Sequence, residues 1–407
     1  MKNLYLKISV LSILLFCIAS CTEPYALQTN TFEDAIVVEA TITNEFKKQE
    51  IKLSRTYRFE DNGPKFEAGA IVYIKDDLGN QYNFEENSGK YLSTSEFQAV
   101  ANRNYQLYIT TSDGKSYNSS NEKLTTVNPI QSVVSEITTK EGVRGVQMVV
   151  NSFDPTNTSK YYRYEYEETY KVIAPRWIST KGIAHYFAPG SNPPGELLFE
   201  TRTTEARVCY STEKSNSIIL ENTSNLSQDR VSYPIRFISN KNHILMNRYS
   251  ILAKQYVQNL EAYTFYETLK KTSSSGSILS QNQPGFFSGN IKSVTNPNEK
   301  VIGFFDVSTY SEKRIFINYN QIFPGEQLPE YPYKCPEVSE DNKIEYAFGF
   351  CFNYRDPRCY GNEILTWIDS RYKVYAGFYG DDYILYPIQC GDCTSFSNNI
   401  RPSFWID

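Results

Sequence analysis

Histidine is scarce in this chain: His185 and His243 are the only two in 407 residues. They lie far apart and neither sits in H-E-x-x-H or another ligand spacing, so a histidine-held zinc centre or a His-based triad has almost nothing to be built from. The G-x-S-x-G elbow, the G-x-x-x-x-G-K-[ST] loop, the G-x-G-x-x-G turn and the D-x-[DN]-x-[DN]-G calcium loop are missing as well. An excess of positive charge is also lacking. Lys and Arg number 41 against 46 Asp and Glu, a formal net charge of −5 with no basic stripe, which argues against a nucleic-acid partner. Beyond the first twenty residues no apolar run approaches the roughly 20 residues needed to span a bilayer. No repeat of fixed period is visible.

Aromatic residues are plentiful: 33 Tyr and 24 Phe. Together with Thr, Val and Ile they favour β-structure. The expected fold class is mainly β. An immunoglobulin-like β-sandwich comes first, and a larger antiparallel β domain with one inserted helix follows it.

The N-terminus reads as an export signal. Lys2 and Lys7 precede an apolar run from Ile8 to Ile18, about eleven residues, too short for a stable span. The run ends Ile18-Ala19-Ser20-Cys21, which resembles the lipobox of bacterial lipoproteins. Small residues admit the processing enzyme to the backbone, the Cys21 thiol takes the lipid, and cleavage makes Cys21 the acylated first residue. Several acyl chains on one residue anchor stably. Residues 1–20 are therefore read as signal peptide and 21–34 as a tether. Thr22 after the acylated Cys points to the outer membrane rather than to inner-membrane retention, with the face open between periplasm and cell surface.

From Ala35 the pattern alternates. Ile36, Val38, Ala40 and Ile42 share a strand face, and Ile51 with Leu53 begins a second strand. Ile71–Ile74 leads through Asp77-Leu78-Gly79-Asn80 to Tyr82 and Phe84. Tyr105, Leu107 and Ile109 lead through Ser112-Asp113-Gly114 to Tyr117. Asp-Gly between alternating runs is a hairpin signal, because Gly accepts the positive φ of the turn. This spacing predicts the sandwich over 35–126. The pattern breaks at Thr126–Pro129, taken as a linker, and the larger domain occupies 127–407.

In that second region Tyr162, Tyr164 and Tyr166 alternate with Arg163, Glu165 and Glu167, as in a half-solvated antiparallel strand. Flat rings of this kind can face a ligand, stacking on sugars or apolar groups; core packing is the plainer reading. A helix is predicted near 259–271, with Asn259 as cap, Glu261 in the first turn, Ala262, Phe265, Tyr266 and Leu269 on one face, and Lys270 and Lys271 at the end. Val301–Phe305 and Arg314–Ile317 read as buried strands, and 372–386 as a hairpin turning near Gly380. Paired acids such as Glu167-Glu168 or Asp381-Asp382 could serve a glycosidase, yet adjacent acids on strands and turns are usually solvated. No enzyme, cofactor or metal is expected.

Six cysteines stay outside the signal and anchor: Cys209, Cys335, Cys351, Cys359, Cys390 and Cys393. An even count in an exported chain reads as disulfides, with connectivity open. Cys390-Gly391-Asp392-Cys393 also invites a redox or zinc reading. The first wants a thioredoxin-like βαβ context and the second another close pair, and the surrounding sequence offers neither.

Several phrases occur in a characteristic order: C-T-E-P-Y after the lipobox, Ile36–Asn44, Tyr249–Leu252, Glu261–Tyr266, Gln283-Pro284, Gly289-Asn290-Ile291, Val301–Phe305, Cys390–Cys393 and Arg401–Trp405. The set resembles a domain-of-unknown-function family of Bacteroidota outer-membrane lipoproteins. The resemblance implies a TonB-dependent β-barrel transporter as partner, no assigned catalytic residue, and a C-terminus pinned through Trp405 and the C-x-x-C. The expected role is a binding or accessory subunit of such a transporter in nutrient uptake. A structural or adhesive envelope protein and an exported hydrolase are the alternatives. The ligand is not legible in the sequence.

Overall fold

The structure is a computed structural model and describes residues 34–57, 63–191, 195–274, 289–337, 363–379 and 382–407. The expected lipidation site Cys21, the expected signal peptide and tether, Cys351, Cys359 and the Arg355–Arg358 stretch lie outside the described residues. The protein is mainly β, as the composition predicts.

One sheet of 15 strands dominates. Its path runs Val208–Lys214, Tyr161–Ile173, Arg248–Gln258, Val301–Asn318, Ile36–Thr43, Glu50–Arg55, Lys90–Ser93, Gln81–Asn87, Ile71–Asp76, Asn104–Thr110, Ser116–Ser119, Ile291–Ser293. Neighbours along this path are antiparallel with one exception: Ile36–Thr43 lies parallel to Val301–Asn318, Ile36 opposite Val301 and Thr43 opposite Ser308. A parallel pair needs a long crossover, and here most of the chain lies between the two strands.

The alternating residues of the first region do point inward. Ile36, Val38, Ala40, Ile42, Ile51, Leu53, Val72, Ile74, Tyr105, Leu107, Ile109 and Tyr117 form one core with Ile291, Val301, Phe305 and Val307. The last four belong to the strands Ile291–Ser293 and Val301–Asn318, far later in the chain, so the core of the 35–126 region is completed by strands from the 127–407 region. A second core gathers Val146, Met148, Val150, Tyr162, Tyr164, Ile235, Ile251, Ile317 and others, beneath a three-stranded sheet of Ser132–Lys140, Val143–Asp154 and Asp229–Ser239. The two buried runs read as separate strands, Val301–Phe305 and Arg314–Ile317, are one strand of 18 residues that serves both cores. The expected linker is likewise built in. The Thr126 carbonyl accepts from Thr309 Oγ1 at 2.7 Å, and buried Asn128 donates to the Tyr162 hydroxyl at 2.8 Å.

The predicted helix forms over Leu260–Ser274. Asn259 caps it, its Oδ1 accepting from the Ala262 amide at 2.7 Å. A third, smaller core joins the hairpin Thr180–Tyr186/Gly195–Thr201, the helix Glu363–Asp369 and the hairpin Lys373–Tyr379/Asp382–Pro387. The C-terminus is pinned: Trp405 is buried against Tyr210, ring centroids 5.0 Å apart, and Phe316, at 5.6 Å.

Candidate functional site

The cysteines pair as Cys209–Cys393 and Cys335–Cys390. The C-x-x-C is thus split between two long-range disulfides. It closes no loop of its own, and both its sulfurs are committed to structure. Among the described residues no group of three or more His, Cys, Asp or Glu is arranged to hold a metal.

The tyrosine strand needs a correction. Tyr162 and Tyr164 are fully buried. The Tyr162 hydroxyl donates to Asp229 at 2.7 Å, and the Tyr164 hydroxyl donates to Gln255 at 3.0 Å. Tyr166 packs against the same core with Arg236 over its ring. These rings are core, not a ligand platform. On the charged face Arg163 is covered as well, whereas Glu165 and Glu167 stay half-buried. Arg163 is buried between the rings of Tyr256, at 4.1 Å, and Tyr266 on the helix, at 4.8 Å. Burial opposes its charge, but Tyr266, Glu165, Tyr256 and Asp306 hold its pKa above the usual arginine value. Alternation in sequence cannot reveal that a distant helix covers Arg163 on the second face. The adjacent acids also separate. Glu168 takes a forked pair of bonds from Arg236, 3.0 and 2.9 Å, and one from the Tyr249 hydroxyl, 2.7 Å, while Glu167 lies 3.6 Å from Arg314. The histidines stay apart: His185 faces Glu196 on an exposed hairpin, and His243 packs edge-on to Tyr170.

A groove of about 690 Å³ opens between the helix Leu260–Ser274 and the outer face of the strands Ser116–Ser119 and Ile291–Ser293. That volume lies within the range of small-ligand sites. Its floor is apolar: Phe265 of the helix and Phe304 of the long strand, both buried, with centroids 5.6 Å apart. Thr264 and Thr268 line the helix side. Their hydroxyls donate to the carbonyls one turn back, at 2.7 and 2.8 Å, which leaves their oxygens able to accept.

One end of the groove is tied by a closed polar knot. Glu122 is buried and accepts from Ser120 Oγ at 2.6 Å, Asn290 Nδ2 at 2.8 Å and Asn259 Nδ2 at 2.8 Å. Burial raises its pKa, and the three donors only partly offset that rise. Asn290 also bonds the long strand. Its Nδ2 donates to the Phe305 carbonyl at 2.9 Å and its Oδ1 accepts from the Phe305 amide at 2.8 Å. Beneath it the chain needs two glycines. A Cβ at Gly289 would lie 1.6 Å from the Gly303 carbonyl oxygen, and one at Gly303, where φ is +145°, would lie 2.2 Å from the Val38 carbonyl oxygen.

Other groups at the groove are uncommitted. Among the described residues, the amide of half-buried Asn118, the ammonium of exposed Lys292 and the carboxylate of exposed Glu261 make no hydrogen bond or ion pair, though all three line the cavity. Sequence reasoning did not single out Asn118 or Lys292. The missing signal was register: Lys292 stands directly opposite Asn118 across a strand pair that joins segments far apart in the chain.

The model of one protein family matches residues 22–314, a stretch that includes every residue of this groove. The chain belongs to that family, Domain of unknown function (DUF4249). In this DUF4249 chain the phrases Glu261–Tyr266, Gly289-Asn290-Ile291 and Val301–Phe305 meet at one place, the groove and its knot. No curated protein matches the sequence. One solved structure, described as "Biofilm associated protein - BSP domain", aligns at 8% identity over 71% of this chain and 60% of that chain, with a TM-score of 0.15. The chain thus spans about 60% of that protein's length, and an overlap this loose carries no argument about fold or role.

Proposed function

We propose that the protein is a lipid-anchored, non-catalytic binding or accessory subunit that works beside a TonB-dependent β-barrel transporter at the outer membrane. The observation that carries the reading is the N-terminal sequence, a short apolar run ending in Ile18-Ala19-Ser20-Cys21. The groove supports it, since an apolar floor rimmed by uncommitted polar groups suits the capture of a small ligand. Position supports it as well. Ile36, where the tether joins the sheet, lies beside Val301, and Phe304 is three residues further along the same strand, about 10 Å at the usual rise per residue. The segment 21–34 can extend at most about 45–50 Å, which keeps the groove near the membrane surface and near anything embedded there.

Co-purification tests this. The protein carrying a C-terminal tag is extracted in mild detergent and captured. A β-barrel of transporter size in comparable amount is the expected companion, and recovery of the lipoprotein without any barrel contradicts the proposal.

A further inference from the structure

We propose that the groove takes a short peptide with free ends, Lys292 receiving its carboxylate, Glu261 its terminal ammonium and Asn118 its backbone amide. The inference rests on the binding role proposed above and adds the ligand class.

Its basis is the division among the polar groups. Glu122, Asn290, Asn259 and Ser120 are spent on one another and on the backbone. Lys292, Glu261 and Asn118 are not, yet they edge the same cavity from two sides, Glu261 from the helix and the other two from the strands. An amide that no neighbour uses offers one acceptor and two donors, the complement of a peptide bond. Unpaired charges of both signs over an apolar floor match an apolar peptide that carries both of its termini. A neutral sugar would leave both charges unused. A phosphate-bearing ligand would find one ammonium and meet the Glu261 carboxylate. The Thr264 and Thr268 oxygens add acceptors along the helix wall for further amide N–H groups.

The test uses the detergent-solubilised mature protein and tri-leucine in four forms: free, N-acetylated, C-amidated and blocked at both ends. Calorimetric titration should show binding of the free peptide and about a tenfold loss on blocking either end, since hydrogen bonds to charged groups are the stronger class. Lys292→Gln should cost the free peptide a similar factor and make amidation indifferent. Glu261→Gln should do the same for acetylation. That paired pattern is the signature of direct contact. Both side chains are exposed and make no hydrogen bond or ion pair, so Lys292→Gln should unfold at the wild-type midpoint and Glu261→Gln, which loses only its first-turn charge, slightly below it. Absence of binding, equal binding of blocked and free peptides, or insensitivity to both substitutions overturns the assignment. If a barrel still co-purifies while the peptides fail, only the ligand class falls. If peptides bind as described but no barrel is recovered, the transporter partnership falls and the site stands.

Discussion

The side chain of Asn290 stands in for a strand beside Phe305. It donates to the Phe305 carbonyl at 2.9 Å and accepts from the Phe305 amide at 2.8 Å, the two bonds an antiparallel neighbour would supply. Its remaining amide hydrogen goes to buried Glu122. One side chain therefore joins the two ends of the first core to the helix cap and holds the end of the groove.

Asn290→Ala should accordingly destabilise the protein by about 2–4 kcal/mol, because buried partners lose their bonds together. Asn290→Asp should be at least as costly: it cannot donate to the Phe305 carbonyl, and it sets a second carboxylate against Glu122. Urea unfolding checks both. A loss under about 0.5 kcal/mol for the alanine variant would show that the strand mimicry contributes little.

Glu122 gives a pH signature. Burial raises its folded-state pKa above the ordinary glutamate value, so folding disfavours the charged form. Its contribution to stability is therefore largest below the unfolded pKa and is lost as pH rises through the folded one. Glu122→Gln removes this dependence. Relative to that variant, wild-type stability should fall as pH is raised from about 4 toward neutrality. Melting temperatures measured across that range give the difference curve, and the opposite slope would contradict the assignment.

Tyr162→Phe separates core from ligand surface. It leaves Asp229 with Thr223, at 2.6 Å, as its one remaining side-chain partner among the described residues, and removes the acceptor of Asn128. A loss of about 1–3 kcal/mol is expected, with binding at the groove unchanged. Altered binding without altered stability would return the tyrosine strand to the list of ligand contacts.

The disulfides link Cys209 to Cys393, separated by 184 positions, and Cys335 to Cys390, separated by 55. Closing loops this long constrains the unfolded chain, so Cys393→Ser should cost roughly 3–5 kcal/mol. Proteolysis without reduction, followed by mass spectrometry, should recover both cross-linked pairs. A peptide closed by Cys390 and Cys393 would refute the connectivity.

What the sequence made legible was local. Alternation placed Ile36, Val38, Ile51, Leu107 and Tyr117 correctly on a buried face, and capping chemistry at Asn259 together with the spacing of Ala262 and Phe265 located the helix. What stayed hidden was non-local. Nothing in residues 35–126 announces that Ile291, Phe305 and Val307 finish their core, nor that Tyr266 will lie over Arg163 and bury it on the charged face of the tyrosine strand. The groove is hidden for the same reason. Asn118, Glu261 and Lys292 belong to three segments, and only the pairing of Ile291–Ser293 with Tyr117–Ser119 and the docking of the helix bring them together. The proposed anchor is the reverse case, a contiguous sequence pattern that needs no fold to be read.

That anchor is tested most directly by the mass of the mature protein recovered from membranes. The account predicts a chain that begins at Cys21 and carries added acyl mass on that residue, with Cys21→Ala released from the membrane fraction while still folded. A chain that keeps residues 1–20, or begins elsewhere without lipid, or a Cys21→Ala variant held in the membrane as firmly as wild type, would contradict it.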